Sequence, residues 1–332
     1  MLIRALAVMA LVLTSQVSPR TAAANSLFGY DVEIDVVYGQ GRIAPDGVEL
    51  LRDLKMDVYT PTTAGTGPWP AVVYIHGGAF HRGGRRNPVY KLGGAVHSSP
   101  EDWARLLAAN GFKTFVLEYR LAPENPITAF VPGQDHTLTD LRSIISEDMM
   151  EGFSRGRGGI GLPPLGYSDA DLDIIWDAYM SGVEDAELAL SYIVEHAQEL
   201  NIDPNNIGMG GHSAGGGITA SVALGRDVPL KAAFPLSPPN TFFESDFIVG
   251  RQDLPAILMH FSQYDDEPVL RHASTLSEML RSSGAEFTLG WIPGFMHFYP
   301  HNAPSLADDG TRISLGDRVL AFLTAQLKDQ QK

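Results

Sequence analysis

The chain has 332 residues, room for one large α/β domain or two small ones, and its 44% hydrophobic content can build a sizeable core. Its 24 Lys and Arg against 39 Asp and Glu leave a net charge of −15, which disfavours nucleic acid or another polyanion as a partner. There are no cysteines, which excludes disulfides, Cys-ligated zinc, iron–sulfur clusters and thiol catalysis together.

At the N-terminus, Arg4 precedes the apolar run Ala5–Leu13, and Ala22-Ala23-Ala24 offers a small-residue cleavage site. Residues 1–24 therefore read as a secretory signal, with a mature chain of 25–332 that is periplasmic or secreted. The rival reading is an uncleaved anchor. No later segment approaches about 18 uninterrupted apolar residues, so no membrane span is expected after signal cleavage.

Tyr30–Tyr38 and Leu54–Tyr59 alternate polar and apolar residues and predict an antiparallel edge pair. Ala71–Ile75 is a continuous apolar strand of the kind buried in a parallel sheet. It runs into His76-Gly77-Gly78-Ala79-Phe80, whose glycines let the backbone turn its N–H groups toward a ligand. His81, Arg82, Arg85 and Arg86 follow and read as solvated loop residues. Pro100 to Asn110 predicts a helix capped by Ser99, and Phe112–Leu117 the next strand.

Residues 125–180 break this rhythm, with helical pieces around Leu138–Met150 and Asp169–Tyr179. A connection this long in a compact domain is usually a lid or an inserted subdomain, so a cap is expected here. The rival is a disordered insertion over Arg155–Gly166. Alternation then resumes with an amphipathic helix (Val183–Leu200), strands at Lys231–Leu236, Ala256–Phe261 and Glu286–Ile292, and helices at Val269–Ser282 and Ser314–Leu327. The pattern predicts an α/β fold: a mostly parallel central sheet with helices on both faces and an inserted cap.

Chemistry concentrates at Asn206–Gly217, which reads as strand, sharp turn and helix start. Gly211-His212-Ser213-Ala214-Gly215 fits G-x-S-x-G, in which a strained turn lifts a serine hydroxyl above the sheet. Gly152-Phe153-Ser154-Arg155-Gly156 has the same spacing but follows an acidic segment, so Ser154 reads as loop. A serine nucleophile needs a base, and the base an orienting carboxylate. In an open α/β sheet both should lie beyond strand C-terminal ends. Asp265 is the favoured acid, with Asp266 as its rival. His297 is the favoured base, with His301 as its rival. His212 should point away from the reaction, and His81, His97 and His136 read as surface. The N–H groups of Gly77, Gly78 and Ala214 are the candidate oxyanion donors, with Ala79 as an alternative.

With these residues the chain resembles the α/β-hydrolase superfamily, and within it the hormone-sensitive-lipase-like carboxylesterases. His76–Phe80 resembles HGGGF, Tyr119–Glu124 matches YRLAPE, Gly211–Gly216 resembles GDSAGG, and Val183–Ala186 is similar to the family's helix before the elbow strand. The resemblance covers most of Ala71 to His301, with 125–180 as its main gap. It implies hydrolysis of a small-molecule ester through an acyl-enzyme, with no metal and no cofactor. His212 departs from GDSAGG, and GHSAGG or GHSAGA occurs in feruloyl-esterase-like and kynurenine-formamidase-like groups. Amidase or formamidase chemistry on the same triad is thus the alternative, with a non-catalytic binding protein of this fold behind it.

Overall fold

A computed structural model describes residues 29–62, 66–86, 90–92 and 95–328. The expected signal segment, 1–24, lies outside the described residues. The strands are β1 (Tyr30–Ile43), β2 (Leu50–Pro61), β3 (Trp69–Ile75), β4 (Tyr90–Leu92), β5 (Ala95–His97), β6 (Lys113–Leu117), β7 (Ile202–His212), β8 (Ala232–Leu236), β9 (Ala256–Tyr264), β10 (Phe287–Met296), β11 (Pro304–Ala307) and β12 (Arg312–Ser314). The helices are α1 (Pro100–Ala108), α2 (Glu147–Gly158), α3 (Asp169–Glu195), α4 (Ala214–Gly225), α5 (Ser245–Gly250), α6 (Glu267–Ser283) and α7 (Leu315–Leu327).

Ten strands form one sheet in the order β1-β2-β6-β3-β7-β8-β9-β10-β11-β12. The run from β6 to β10 is parallel throughout, and antiparallel strands flank it on both sides. The parallel strands read as unbroken apolar runs because both of their faces are covered. Along β3, Val72 and Tyr74 pack with Trp103 and Leu107 of α1 and Val319 and Leu323 of α7. Ala71, Val73 and Ile75 point the other way, into a core shared with α3, α4 and α6. The predicted edge pair is β1 with β2. Beyond the predicted last strand the sheet continues into β11 and β12, which are too short and polar to register as sequence signals.

Residues 125–180 are not a loop. They hold a 3-10 turn at Leu141–Ser143, then α2, then the first half of α3. Ser146 caps α2 by accepting from the Met149 N–H, and the carboxyl-terminal part of the segment folds back, with the Arg157 Nε donating to the Pro163 carbonyl at 2.9 Å. Ser154 lies inside α2, not in a loop; its hydroxyl both donates to the carbonyl and accepts from the N–H of Leu165, at 2.9 Å each. The two helical pieces expected around Asp169–Tyr179 and Val183–Leu200 are one 27-residue helix, α3. Gly182 lies inside it, where a glycine costs about 1 kcal/mol. Packing overrides that cost: a Cβ there would sit 2.6 Å from Ile218 Cδ1, so the glycine lets α4 approach closely. Ile145, Met150, Leu172 and Trp176 of the insert belong to the same core as the sheet. No helix among the described residues is long and apolar enough to cross a membrane.

Arg85 is not solvated, whereas Arg86 is exposed as expected. Arg85 is buried and pairs with Asp57, Asp35 and Glu118, and Arg86 also binds Asp57. His81 and His97 are buried as well, with Nδ1 of His81 2.6 Å from the Ala79 carbonyl.

Candidate active site

The turn between β7 and α4 carries Ser213 at φ 57°, ψ −120°, a left-handed conformation strained for a residue with a side chain. The glycines two before and two after it are required by space. A Cβ on Gly211 would meet the Gly215 carbonyl oxygen at 2.5 Å and the Ile75 oxygen at 2.7 Å. One on Gly215 would stand 2.2 Å from the Ile75 oxygen. The Ser213 N–H donates to the Leu236 carbonyl at 2.9 Å and its own carbonyl accepts from Gly217 at 2.8 Å, fixing the turn to β8 and to the helix.

Three of the residues singled out in sequence stand in one hydrogen-bond chain. Ser213 Oγ lies 2.7 Å from His297 Nε2, and His297 Nδ1 lies 2.5 Å from Asp265 Oδ1. The other carboxylate oxygen of Asp265 accepts from the Ser237 hydroxyl at 2.5 Å, the Ser262 hydroxyl at 2.8 Å and the Ser262 N–H at 3.1 Å. Tyr299 Oη touches Ser237 Oγ at 2.9 Å. The rivals are elsewhere: Asp266 is the exposed residue at the N-cap of α6, and His301 is held by Ser98.

The electrostatics follow from burial and pairing. Burial would raise the Asp265 pKa, but the His297 charge and bonds from His297, Ser237 and Ser262 outweigh it and hold the carboxyl below its ordinary value. Burial would lower the His297 pKa, but the charge and hydrogen bond of Asp265 outweigh it and hold the imidazole above its ordinary value.

Residues 76–80 form a tight loop after β3. Gly78 has φ +128°, and Ala79 and Phe80 take φ 56° and 61°. A Cβ on Gly77 would lie 3.1 Å from Ser213 Cβ, so this backbone runs beside the serine. Among the described residues, the N–H groups of Gly77 and Gly78 donate to no other group. Ala214 is the first residue of α4, so its N–H has no acceptor within the helix and stands at the positive end of the helix dipole. The YRLAPE segment holds this loop at both ends. Tyr119 stacks on His76 at 4.4 Å and donates to its carbonyl at 3.3 Å, and the Ala122 N–H donates to the Phe80 carbonyl at 2.8 Å.

Sequence reasoning missed Ser237, Ser262 and Tyr299, which no local pattern marks. It also left His212 without a role. The ring stands 5.0 Å from that of His297, centroid to centroid, and its Nε2 donates to the main-chain carbonyl of His297 at 2.8 Å. His97 reaches the same loop, with Nδ1 3.1 Å from the Tyr299 carbonyl.

A family described as alpha/beta hydrolase fold matches residues 177–246, which hold the second half of α3, the elbow and α4. The chain is 27% identical over 225 residues to Carboxylesterase NlhH from two Mycobacterium tuberculosis strains, CDC 1551 / Oshkosh and H37Rv. The match takes in 68% of this chain and 48% of that protein, so the chain spans about half the length of the curated relatives it matches. Among solved structures, Thermogutta terrifontis esterase 2 phosphorylated by paraoxon is similar at TM-score 0.53 and 16% identity, covering 90% of this chain and 94% of that one. A truncated carbohydrate esterase from gut microbiota is similar at TM-score 0.52 and 14% identity, covering 92% and 99%. The strand order, the elbow and these likenesses together are those of an α/β-hydrolase fold.

Proposed function

We propose that this α/β-hydrolase is a serine carboxylesterase of the hormone-sensitive-lipase-like kind, acting on small-molecule esters. The observation that carries the proposal is the unbroken hydrogen-bond chain from Ser213 through His297 to Asp265, set beside the 76–80 loop. A serine hydroxyl is a weak nucleophile, and His297 Nε2 stands where it can take the proton as Oγ attacks the ester carbonyl. Asp265 fixes the imidazole tautomer, with Nδ1–H toward the carboxylate, and stabilises the imidazolium. The N–H groups of Gly77, Gly78 and Ala214 receive the charge that develops on the carbonyl oxygen. His297 then protonates the leaving alcohol, and water repeats the sequence on the acyl-enzyme.

The acyl group should be small. The apolar cavity between Phe80, the insert and the loop after β8 is about the size of a water and leaves no room for a long chain. In this reading residues 125–180 are the cap, its α2 resting on the 76–80 loop: the rings of Phe153 and Phe80 lie 6.3 Å apart, and a Cβ on Gly156 would be in van der Waals range of Ala79. The N-terminal segment supports export of the mature chain, which N-terminal sequencing of protein from culture fractions tests directly.

The experiment is hydrolysis of p-nitrophenyl esters from acetate to palmitate by the purified chain beside Ser213→Ala. Turnover that peaks at short chains and vanishes in the variant is the expected result. Full activity in Ser213→Ala would remove Ser213 from the mechanism.

A further inference from the structure

The carboxylate that orients the base is itself held from behind by a relay of hydroxyls that the triad mechanism does not use. Asp265 Oδ1 faces His297 Nδ1 at 2.5 Å and also accepts from the Asp266 N–H at 2.9 Å. Oδ2 accepts from the N–H and hydroxyl of Ser262 and from the Ser237 hydroxyl. Behind Ser237, Tyr299 Oη stands 2.9 Å from its Oγ. Both residues are buried, Ser237 completely.

Proton counting gives the relay a direction. An ionised carboxylate only accepts, so the single hydroxyl proton of Ser237 goes to Oδ2. The Ser237 oxygen is then the acceptor, and the Tyr299 hydroxyl donates to it. Burial, first, and the Asp265 charge hold the Tyr299 pKa well above its ordinary value, so that proton stays in place. Tyr299 lies in the same loop as His297, which therefore meets both carboxylate oxygens, one directly through His297 and the other from Tyr299 through Ser237.

The backbone is bent to complete the relay. Ser237, the residue after β8, takes φ 44°, a left-handed conformation strained for a residue with a side chain. Its N–H donates to the His260 carbonyl of β9 at 2.7 Å, and the Leu236 carbonyl before it accepts from the Ser213 N–H at 2.9 Å. Strain of this kind persists where the surroundings over-determine it and gathers at functional sites. Here it sits between the strand that ends at the nucleophile and the strand that leads to the acid.

We propose that Ser237 and Tyr299 are positioning residues: the relay from Tyr299 through Ser237 turns the Asp265 carboxylate so that Oδ1 faces the base, and draws part of its charge away from the base. Donors on Oδ2 place their positive ends toward the triad. His297 is then less basic than it would be beside an unsupported carboxylate, and more of it is neutral and able to take the Ser213 proton. The proposal rests on the esterase reading and deepens its triad. The other titratable groups around His297 are Asp266, whose charge raises its pKa, and His212 and His97. Burial chiefly holds those two histidines low, His97 at about 4, so they stay neutral across the profile.

The test is the pH dependence of kcat/KM for p-nitrophenyl acetate in the wild type, Ser237→Ala, Tyr299→Phe and the double variant, with a melting temperature for each. In Ser237→Ala the acid-side midpoint should rise by about 0.5–1 pH unit, opposite to the effect of losing the Asp265 charge, and kcat should fall about tenfold. Tyr299→Phe keeps the ring and should raise the midpoint by about 0.2–0.5. Because Tyr299 acts through Ser237, the double variant should match Ser237→Ala. A merely structural role would lower kcat or the melting temperature without moving the midpoint. An unmoved midpoint in both single variants overturns the proposal, as does a double variant whose losses multiply. Should Ser237→Ala fail to fold, the midpoint of Tyr299→Phe decides alone. If the wild type hydrolyses no ester, the esterase reading falls instead, a result distinct from turnover with an unmoved midpoint.

Discussion

His212 provides the sharpest test of how the base is held. Its Nε2–H is donated to the His297 carbonyl at 2.8 Å, and the ring is 2% exposed. Burial, first, and the neighbouring His97 and His297 hold its pKa well below the ordinary value, so the ring is neutral and has one proton to give. Replacing it with Asn leaves an amide whose nitrogen reaches only as far as His Nδ1, so the His297 carbonyl goes unpaired. An unpaired buried carbonyl costs about 1–3 kcal/mol. If the loop relaxes by about 1 Å to recover it, the imidazole is displaced enough to lower turnover by about 10²-fold. Gln places its nitrogen near His Nε2 and should restore the bond. The expected order of kcat is wild type, then Gln within a few-fold, then Asn about 10–100-fold lower, with KM little changed. Asp, the residue usual in GDSAGG, should fall below Asn, because a carboxylate facing a carbonyl oxygen repels it where histidine donates. The assay is p-nitrophenyl acetate kinetics with a melting temperature for each variant. Equal kcat in Gln and Asn, at melting temperatures near wild type, would refute the positioning role.

Three further outcomes follow from the same geometry. Asp265→Asn should lower kcat by about 10³–10⁴-fold, because an amide in place of the carboxylate favours the wrong imidazole tautomer, while Asp266→Asn stays near wild type; steady-state kinetics on both decides the choice of acid. His297 must be neutral to take the Ser213 proton, and its folded pKa is raised, so kcat/KM should fall as pH drops through a midpoint above the ordinary histidine value of 6.5, and the Asp265→Asn profile should shift to lower pH. Gly215→Ala would put a methyl 2.2 Å from the Ile75 carbonyl oxygen, with backbone on both sides; a loss of about 2–3 kcal/mol or more in denaturant unfolding is expected, together with lost activity.

What the sequence discloses here is what local backbone geometry demands. Gly211 and Gly215 are legible because only a hydrogen fits against carbonyl oxygens, and Gly78 because φ is +128°. Asp265 is legible by its distance beyond a buried strand. Within the insert the helical pieces are legible but the contacts that order them are not: Ser154 reads as loop until Leu165 is seen bonded to its hydroxyl. His81 and Arg85 read as surface because nothing nearby in sequence announces their partners, and the acceptors of Arg85 are Asp35, Asp57 and Glu118. Ser237 and Ser262 are common residues in common places, and only the Asp265 carboxylate gives them meaning.

The two sequence stretches that look remote from the chemistry are joined to each other and to the 76–80 loop. Arg120, inside YRLAPE, donates through Nε to Asp185 at 2.9 Å and pairs through a terminal nitrogen with Glu184 at 2.7 Å. Those acids lie in the Val183–Ala186 stretch of α3, whose neighbour Gly182 packs on α4. The residues on either side of Arg120 hold the 76–80 loop, through Tyr119 at His76 and Ala122 at Phe80. A buried ion pair contributes little net stability, but losing one partner leaves an uncompensated charge and costs about 3–5 kcal/mol. The pair therefore acts as a register pin: it fixes where the 76–80 loop stands relative to α3 and, through α3 and α4, relative to Ser213. Under the proposed mechanism that matters, because donors aimed at a developing charge are useful only if they do not move.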